Sequence, residues 1–286
     1  ESEIGMRITC LVDNTARRGS HLWAEHGLAF LIESGTGCVL FDTGQSGTVL
    51  MHNLDVLGVD PGTIDALAIS HAHYDHTGGL PALLERTRPG LPLYAHPDLL
   101  RERFSQREDE SVPKEIGVPL AEDALAARTT LHLSTEPQEI VPGVWTTGEI
   151  VSRPEPEGRS AHHLVRAETG WVPDPYRDDM SLVFAVDSGS VLLCGCCHAG
   201  LLNTLSHVAH TFEYPVTAIA GGTHLVSADG NHLQRVRKVM VEMECIQRLY
   251  LNHCSGEDAL CSLRLTLGPT IVRPCPAGTQ LDEEVL

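Results

Sequence analysis

Ser70-His71-Ala72-His73-Tyr74-Asp75-His76-Thr77-Gly78-Gly79 is the stretch from which the rest of the chain can be read. Four of its side chains, His71, His73, Asp75 and His76, are of types that hold metal ions, and they fall within six residues. His71 and His73 are two apart, so extended backbone projects both to the same side and one ion can take both. Asp75 and His76 follow where Gly78-Gly79 lets the chain turn, so they can face a second ion nearby. The run in front of them, Ile64–Ser70, is short and apolar and reads as a buried strand feeding a polar loop. Unrelated polar residues do not collect at a buried strand end, because each would need a partner there.

Upstream, Met6–Asp13 reads as a strand, and Leu28–Glu33 and Cys38–Asp42 as two strands around the turn Ser34-Gly35-Thr36-Gly37. Gly47–Leu57 has helical spacing. Downstream, Gly79–Leu84 starts a helix and Pro92–Ala95 is a strand. Leu99–Arg128 is charged and partly helical, and Val151–Arg177 is rich in Pro, Arg and Glu with little periodicity. Long irregular stretches of this kind serve as lids or binding loops. Order returns with the strands Ser181–Val186 and Ser190–Cys194, then the strand Val216–Ala220, the helix Asn231–Glu244, the strand Arg248–Asn252, the helix Asp258–Leu267 and the strand Thr270–Arg273. Strands open each half and helices follow, which fits two sheets with helices outside and a site at the strand ends between them.

The composition limits the partners. Lys+Arg is 20 against 38 Asp+Glu, a net charge of −18, which repels phosphate backbones over long range and argues against nucleic acid. No stretch approaches the roughly 18 apolar residues of a membrane helix. The first residues lack the basic and apolar regions of a signal peptide, so the expected setting is cytoplasmic; residues 1–5 are set aside, with Met6 as a native start. Nine cysteines without zinc-ribbon spacing are expected to be reduced and mostly packed as small apolar residues. The chain has neither a Gly-rich phosphate loop nor GxSxG, which argues against P-loop and serine-hydrolase chemistry.

The HxHxDH pattern of His71–His76 resembles the signature of the metallo-β-lactamase superfamily, and Phe41-Asp42-Thr43-Gly44 resembles its early Asp turn. More narrowly, the chain resembles the branch of 7,8-dihydropterin-6-methyl-4-(β-D-ribofuranosyl)aminobenzene-5′-phosphate synthase-like proteins. The matching stretches are Leu11–Asn14, Glu25–Leu28, Phe41–Gln45, Ser70–Leu80, Gly195–Gly200, Gly221–Leu225 and His253–Gly256, nearly end to end. The resemblance implies an α/β fold, the αβ/βα four-layer sandwich, as a single domain over 6–286 with an inserted lid-like segment at about 97–180.

The resemblance also makes His198 the third ligand of the His71/His73 ion. His253, at another strand end, completes the Asp75/His76 ion, and Asp42 supports the site from behind. His224, after Gly221-Gly222, is open between substrate contact, further ligand and structural residue. Asp75 and His224 are the expected catalytic residues. The superfamily's bridging Asp falls on Cys196, where a thiolate could ligate zinc or merely pack; Asp178 or Asp179 is another candidate carboxylate. His26 lines the pocket or packs. His162 and His163 sit in the expected lid, and His21, His52, His96, His132, His207, His210 and His232 are read as surface or structural.

The implied chemistry is metal-assisted hydrolysis or group transfer on a small molecule, anionic, phosphorylated or pterin-like. Two Zn²⁺ ions would lower the pKa of water to about 7 and polarise the substrate. Iron or manganese suits the same donors, which leaves an iron oxidoreductase as the first rival and a non-catalytic binding protein as the second. Arg153, Arg159, Arg166 and Arg177 give the expected lid local positive charge.

Overall fold

The computed structural model describes residues 5–283, 285 and 286; residues 1–4 of the segment set aside above lie outside them. Two seven-stranded sheets carry the fold. In the first, Arg7–Val12, Ala29–Ser34 and Gly37–Phe41 pair antiparallel, and Ala66–Ala68, Leu91–Ala95 and Thr129–Leu133 continue it in parallel. Gln280–Asp282 closes its other edge against Arg7–Val12. In the second, Gly189–Cys194, Val216–Gly221, Arg248–Leu251 and Val272–Pro274 run parallel. Ser181–Val186, Val144–Thr146 and Glu139–Val141 extend it antiparallel.

Three apolar clusters fill the spaces between four layers. The period of two along each strand sorts the side chains: Phe30 and Ile32 join the cluster between the sheets, while Ala29 and Leu31 face the cluster under the helices. Val191 and Leu193 likewise face inward, and Leu192 and Cys194 face the opposite helices. Strands covered on both faces read as continuous apolar runs, as these do. Gly47–Leu57 and Leu80–Arg86 cover the first sheet, and Leu201–Thr211, Gly230–Glu242 and Glu257–Leu267 the second. Ser46 caps the first of these helices by accepting from the Val49 N–H, and Gly58 ends it at φ 71°.

The expected α/β four-layer sandwich is therefore the observed fold. Several elements differ from expectation. Leu99–Arg128 holds one short α-helix, Glu122–Ala126, besides a 3₁₀ turn and short strands. The segment 97–180 is not all cover: Thr129–Leu133 joins the first sheet, and Glu139–Val141 and Val144–Thr146 join the second. Its remainder forms a small four-stranded sheet of Phe104–Ser105, Lys114–Glu115, His163–Ala167 and Gly170–Pro173. Strands of two to five residues are too short to show a period. The helix Leu201–Thr211 and the strand Gln280–Asp282 were also not anticipated. All nine cysteines stand as free thiols in the structure. Among the described residues, no helix is long and apolar enough to cross a membrane.

Candidate metal centre

Parallel pairing aligns the strand ends that carry the site. Cys194, Gly221 and Leu251 are direct partners across three neighbouring strands, and His198, His224 and His253 follow them by four, three and two residues. On the facing sheet, Phe41 pairs with Ala68, which places Asp42 beside Ser70 and His71. Both sets of carboxyl ends open on one cavity. Among the described residues, five non-glycine residues have positive φ, Asp42, Tyr176, Cys197, His224 and His253, and all five lie at this site or directly against it. Such conformations cost of order 1–3 kcal/mol each and persist only where the surroundings enforce them.

His71, His73 and His198 form the first donor group, with ligand atoms within 4.8 Å of one another. Nε2 of His71 lies 3.1 Å from Nδ1 of His73. The outer nitrogens are tied down: Ser70 Oγ is 2.8 Å from His71 Nδ1, and the Gly158 carbonyl accepts from His198 Nδ1 at 2.6 Å. His198 Nε2, facing the group, is buried without any partner. Burial, reinforced by the neighbouring histidines, pushes His71 and His198 well below the usual imidazole pKa. Neutral rings with converging nitrogens and an orphaned buried acceptor are what a metal ion requires, so these residues fit one.

Asp75, His76 and His253 meet on the other side. His253 Nε2 lies 3.2 Å from His76 Nε2 and 3.3 Å from Asp75 Oδ2. Burial disfavours the Asp75 carboxylate, but His76, His253 and His73 outweigh it and hold the group well below the ordinary range. His253 is fixed by Asp13, which accepts its backbone N–H at 2.8 Å, and by Asn14 Oδ1, 3.0 Å from Nδ1. Burial would lower the His253 pKa, yet Cys254 and Asp75 raise it to about 9, so a proton occupies this group until a cation displaces it. Cys196 Sγ stands 3.2 Å from His76 Nε2 and groups with both His71 and His76. Gly78 and Gly79 are needed here, because a Cβ on either would strike the Gln45 or Thr43 carbonyl.

Asp178 and Asp179 belong to none of the donor groups. Asp178 accepts from the Ala72 N–H and pairs with buried Arg103, and Asp179 accepts from the Ala199 N–H. They brace the ligand loops instead. His26 lies 3.3 Å from Asp75 and lines the cavity. The ring of His224 packs 4.3 Å from that of His198 with Nδ1 unpartnered, and burial lowers its pKa to about 4.

Residues that sequence reasoning missed come from the cover. Tyr176 stacks on His198 at 4.2 Å, and its hydroxyl lies 2.9 Å from His163 Nδ1. His163, expected only to lie in the cover, packs 4.7 Å from His73. Asp174 lies 3.9 Å from His73 Nε2 and is held by Arg103 at 2.8 Å. Of the four arginines expected to charge the cover, Arg153 binds the Pro175 and Tyr176 carbonyls and Glu157, Arg166 stacks over Phe104 and Trp171, and Arg177 pairs with Glu149. Only Arg159 lines the cavity, joined by Arg107, which the sequence did not single out. A positive residue in an irregular segment has no pattern to mark its direction.

Residues 22–208 match the family described as the metallo-beta-lactamase superfamily, and the chain belongs to it. It is similar to the 7,8-dihydropterin-6-methyl-4-(beta-D-ribofuranosyl)-aminobenzene-5′-phosphate synthase of Methanocaldococcus jannaschii, 28% identical over 89% of each chain. Among solved structures it is similar to Tm1679, described as a metal-dependent hydrolase of the beta-lactamase superfamily. That likeness has a TM-score of 0.82 and 27% identity over 97% of this chain and 98% of the other. Zn²⁺-bound PqqB from Methylobacterium extorquens shares the fold at a TM-score of 0.58 and 14% identity, over 96% and 99%.

Proposed function

We propose that this chain is a metal-dependent hydrolase or group-transfer enzyme acting on a small anionic substrate. His71, His73 and His198 hold one ion, and Asp75, His76 and His253 hold a second. The observation that carries this reading is the adjoining pair of clusters, His71/His73/His198 with an orphaned, buried imidazole nitrogen, and Asp75/His76/His253 with facing atoms 3.2, 3.3 and 3.7 Å apart. Zinc is the expected ion. When bound, such ions supply Lewis acidity toward a carbonyl or phosphoryl oxygen and make water a better nucleophile.

The chain's own residues supply the rest. Asp75, held ionised, accepts a hydrogen bond from the attacking water and orients it. His224, neutral and with one nitrogen free, contacts the substrate. Arg107 and Arg159 draw an anionic group to the cavity mouth. The methanococcal relative's name describes a pterin carrying a ribofuranosyl phosphate, and a phosphorylated or pterin-like substrate suits a cavity of about 700 Å³ with two arginines.

Elemental analysis of purified protein, wild type and His73→Ala, tests the reading. About two equivalents of zinc in the wild type and most of that lost in His73→Ala support it. Iron in place of zinc would favour an oxidoreductase, absence of metal a binding role, and full metal content in His73→Ala would overturn the ligand assignment.

A further inference from the structure

Cys196 and Cys254 are the two thiols that line the metal cavity. Their sulfurs and a ring nitrogen of His253 lie within 4.8 Å of one another. Cys254 Sγ also donates to the Cys196 carbonyl at 3.6 Å and accepts the His224 N–H at 3.3 Å. The neighbouring residues Cys197 and His253 have φ of 57° and 49°, so each cysteine sits on a constrained turn pointing at the other. Two further thiol pairs, Cys10 with Cys275 and Cys194 with Cys197, are packed in the apolar clusters and do not line the cavity. Cys261 is exposed but stands on a helix without a described thiol partner.

We propose that Cys196 and Cys254 form a reversible thiol–disulfide couple, a modification site for peroxides small enough to enter the cavity. The Cys254 sulfur attacks one peroxide oxygen; the O–O bond breaks, the sulfur becomes a sulfenic acid, and the other oxygen leaves as water with the thiol proton. The Cys196 sulfur then attacks the sulfenic sulfur, the S–S bond forms, and the hydroxyl leaves as a second water. The two thiols lose two electrons and two protons, and the peroxide is reduced to two waters. Oxidation draws Cys196 Sγ away from His76 Nε2, now 3.2 Å distant. This last consequence, weakened metal binding, rests on the metal reading above; the couple itself does not.

The full-length protein, after chelation, is exposed to hydrogen peroxide, alkylated with iodoacetamide and mapped by non-reducing peptide mass spectrometry. The expected result is a peptide pair joined through Cys196 and Cys254, with two of the nine thiols lost. Intact mass should fall by about 2 Da and be restored by dithiothreitol. Full alkylation of both cysteines after exposure, or cross-links through other pairs instead, would overturn the couple. Zinc uptake by the oxidised protein is measured in parallel. Reduced uptake supports the coupling, whereas the cross-link with undiminished uptake keeps the couple and removes Cys196 from the metal reading.

Discussion

Asp42 Oδ2 accepts hydrogen bonds from Nδ1 of His76 and from Oγ of Ser70, each at 2.7 Å, and through these two contacts one buried carboxylate sets two rings. With Nδ1 of His76 donating, its Nε2 is left as an acceptor toward the second donor group. Ser70, donating to Asp42, accepts from Nδ1 of His71 at 2.8 Å, which leaves the His71 Nε2 lone pair toward His73. Asp42 is fully buried at φ 60°, a conformation held for this purpose. Asp42→Asn keeps the shape but weakens the charge that orients both rings, so metal affinity should fall about 10–100-fold. Asp42→Ala strips partners from buried groups and should destabilise the fold by about 3–5 kcal/mol. Chelator competition and chemical denaturation measure the two; unchanged affinity in Asp42→Asn would break the link.

Chelator titration should remove metal in two steps. The first group has three nearly adjacent imidazoles, two of them with strongly depressed proton affinity, whereas Cys254 and Asp75 raise the proton affinity of His253 in the second, so that a cation competes with a proton there. Cys196 offers one sulfur near His76 where a bridging carboxylate would serve both ions. Cys196→Asp should retain or raise occupancy of the weaker position. Two equivalents leaving together, or an unchanged titration in Cys196→Asp, would identify the cysteine as packing.

Acid sensitivity should localise in part to His163. Burial, then the charge of nearby His73, depresses its pKa to about 3, against about 6.5 in an unfolded chain. The folded ring stays neutral where the unfolded one protonates. Its stabilisation is therefore complete above pH 6.5 and is lost as pH falls toward 3. One such proton contributes a slope of up to about 1.4 kcal/mol per pH unit in this window. His163→Gln should flatten the fall in denaturation free energy between pH 6.5 and 4.5, and an unaltered slope would show that other groups account for it.

Substrate charge should be read by Arg107 and Arg159. Arg159 is paired at two points with Glu157, while Glu110, which accepts the Arg107 backbone N–H, pairs its carboxylate with Lys114. Arg107→Gln should raise KM several-fold for an anionic substrate and leave a neutral analogue nearly unchanged, while Arg166→Gln, on the outer stack, should alter neither. Equal effects on charged and neutral substrates would show the role to be structural.

How much of this was legible follows from how locally each feature is encoded. His71, His73, Asp75 and His76 share one turn, so spacing alone brings them together. His198 and His253 were legible through resemblance and because apolar runs before them announce strand ends, and parallel strands put those ends side by side. Tyr176, Asp174, Arg103 and His163 reach the site through a small sheet of very short strands, whose path depends on tertiary contacts rather than on any period. Arg153 and Arg177 were expected at the cavity from composition, yet buried carbonyls and Glu149 hold them elsewhere. Charge content locates a segment's sign but not its direction.

Gly158 should prove essential although it offers no side chain. Its N–H donates to the His198 carbonyl at 3.0 Å, and its own carbonyl accepts from His198 Nδ1 at 2.6 Å, so this residue holds both the backbone and the ring of a candidate ligand. A Cβ there would stand 2.5 Å from Cβ of His224 and 3.1 Å from the Cys197 carbonyl. Neither neighbour can yield cheaply: both atoms belong to residues already held at positive φ, His224 at 45° and Cys197 at 57°. The Gly158 segment must therefore back away, and the His198 ring loses the acceptor that orients Nε2 toward the first donor group. Overpacking of this kind costs about 1–3 kcal/mol, and the displaced ring should lower first-ion affinity as well. Gly230→Ala is the control, since its Cβ meets nothing within 4 Å. Zinc affinity by chelator competition and stability of the metal-free protein should both fall in Gly158→Ala and hold in Gly230→Ala. If Gly158→Ala binds zinc like the wild type, the cover does not position His198.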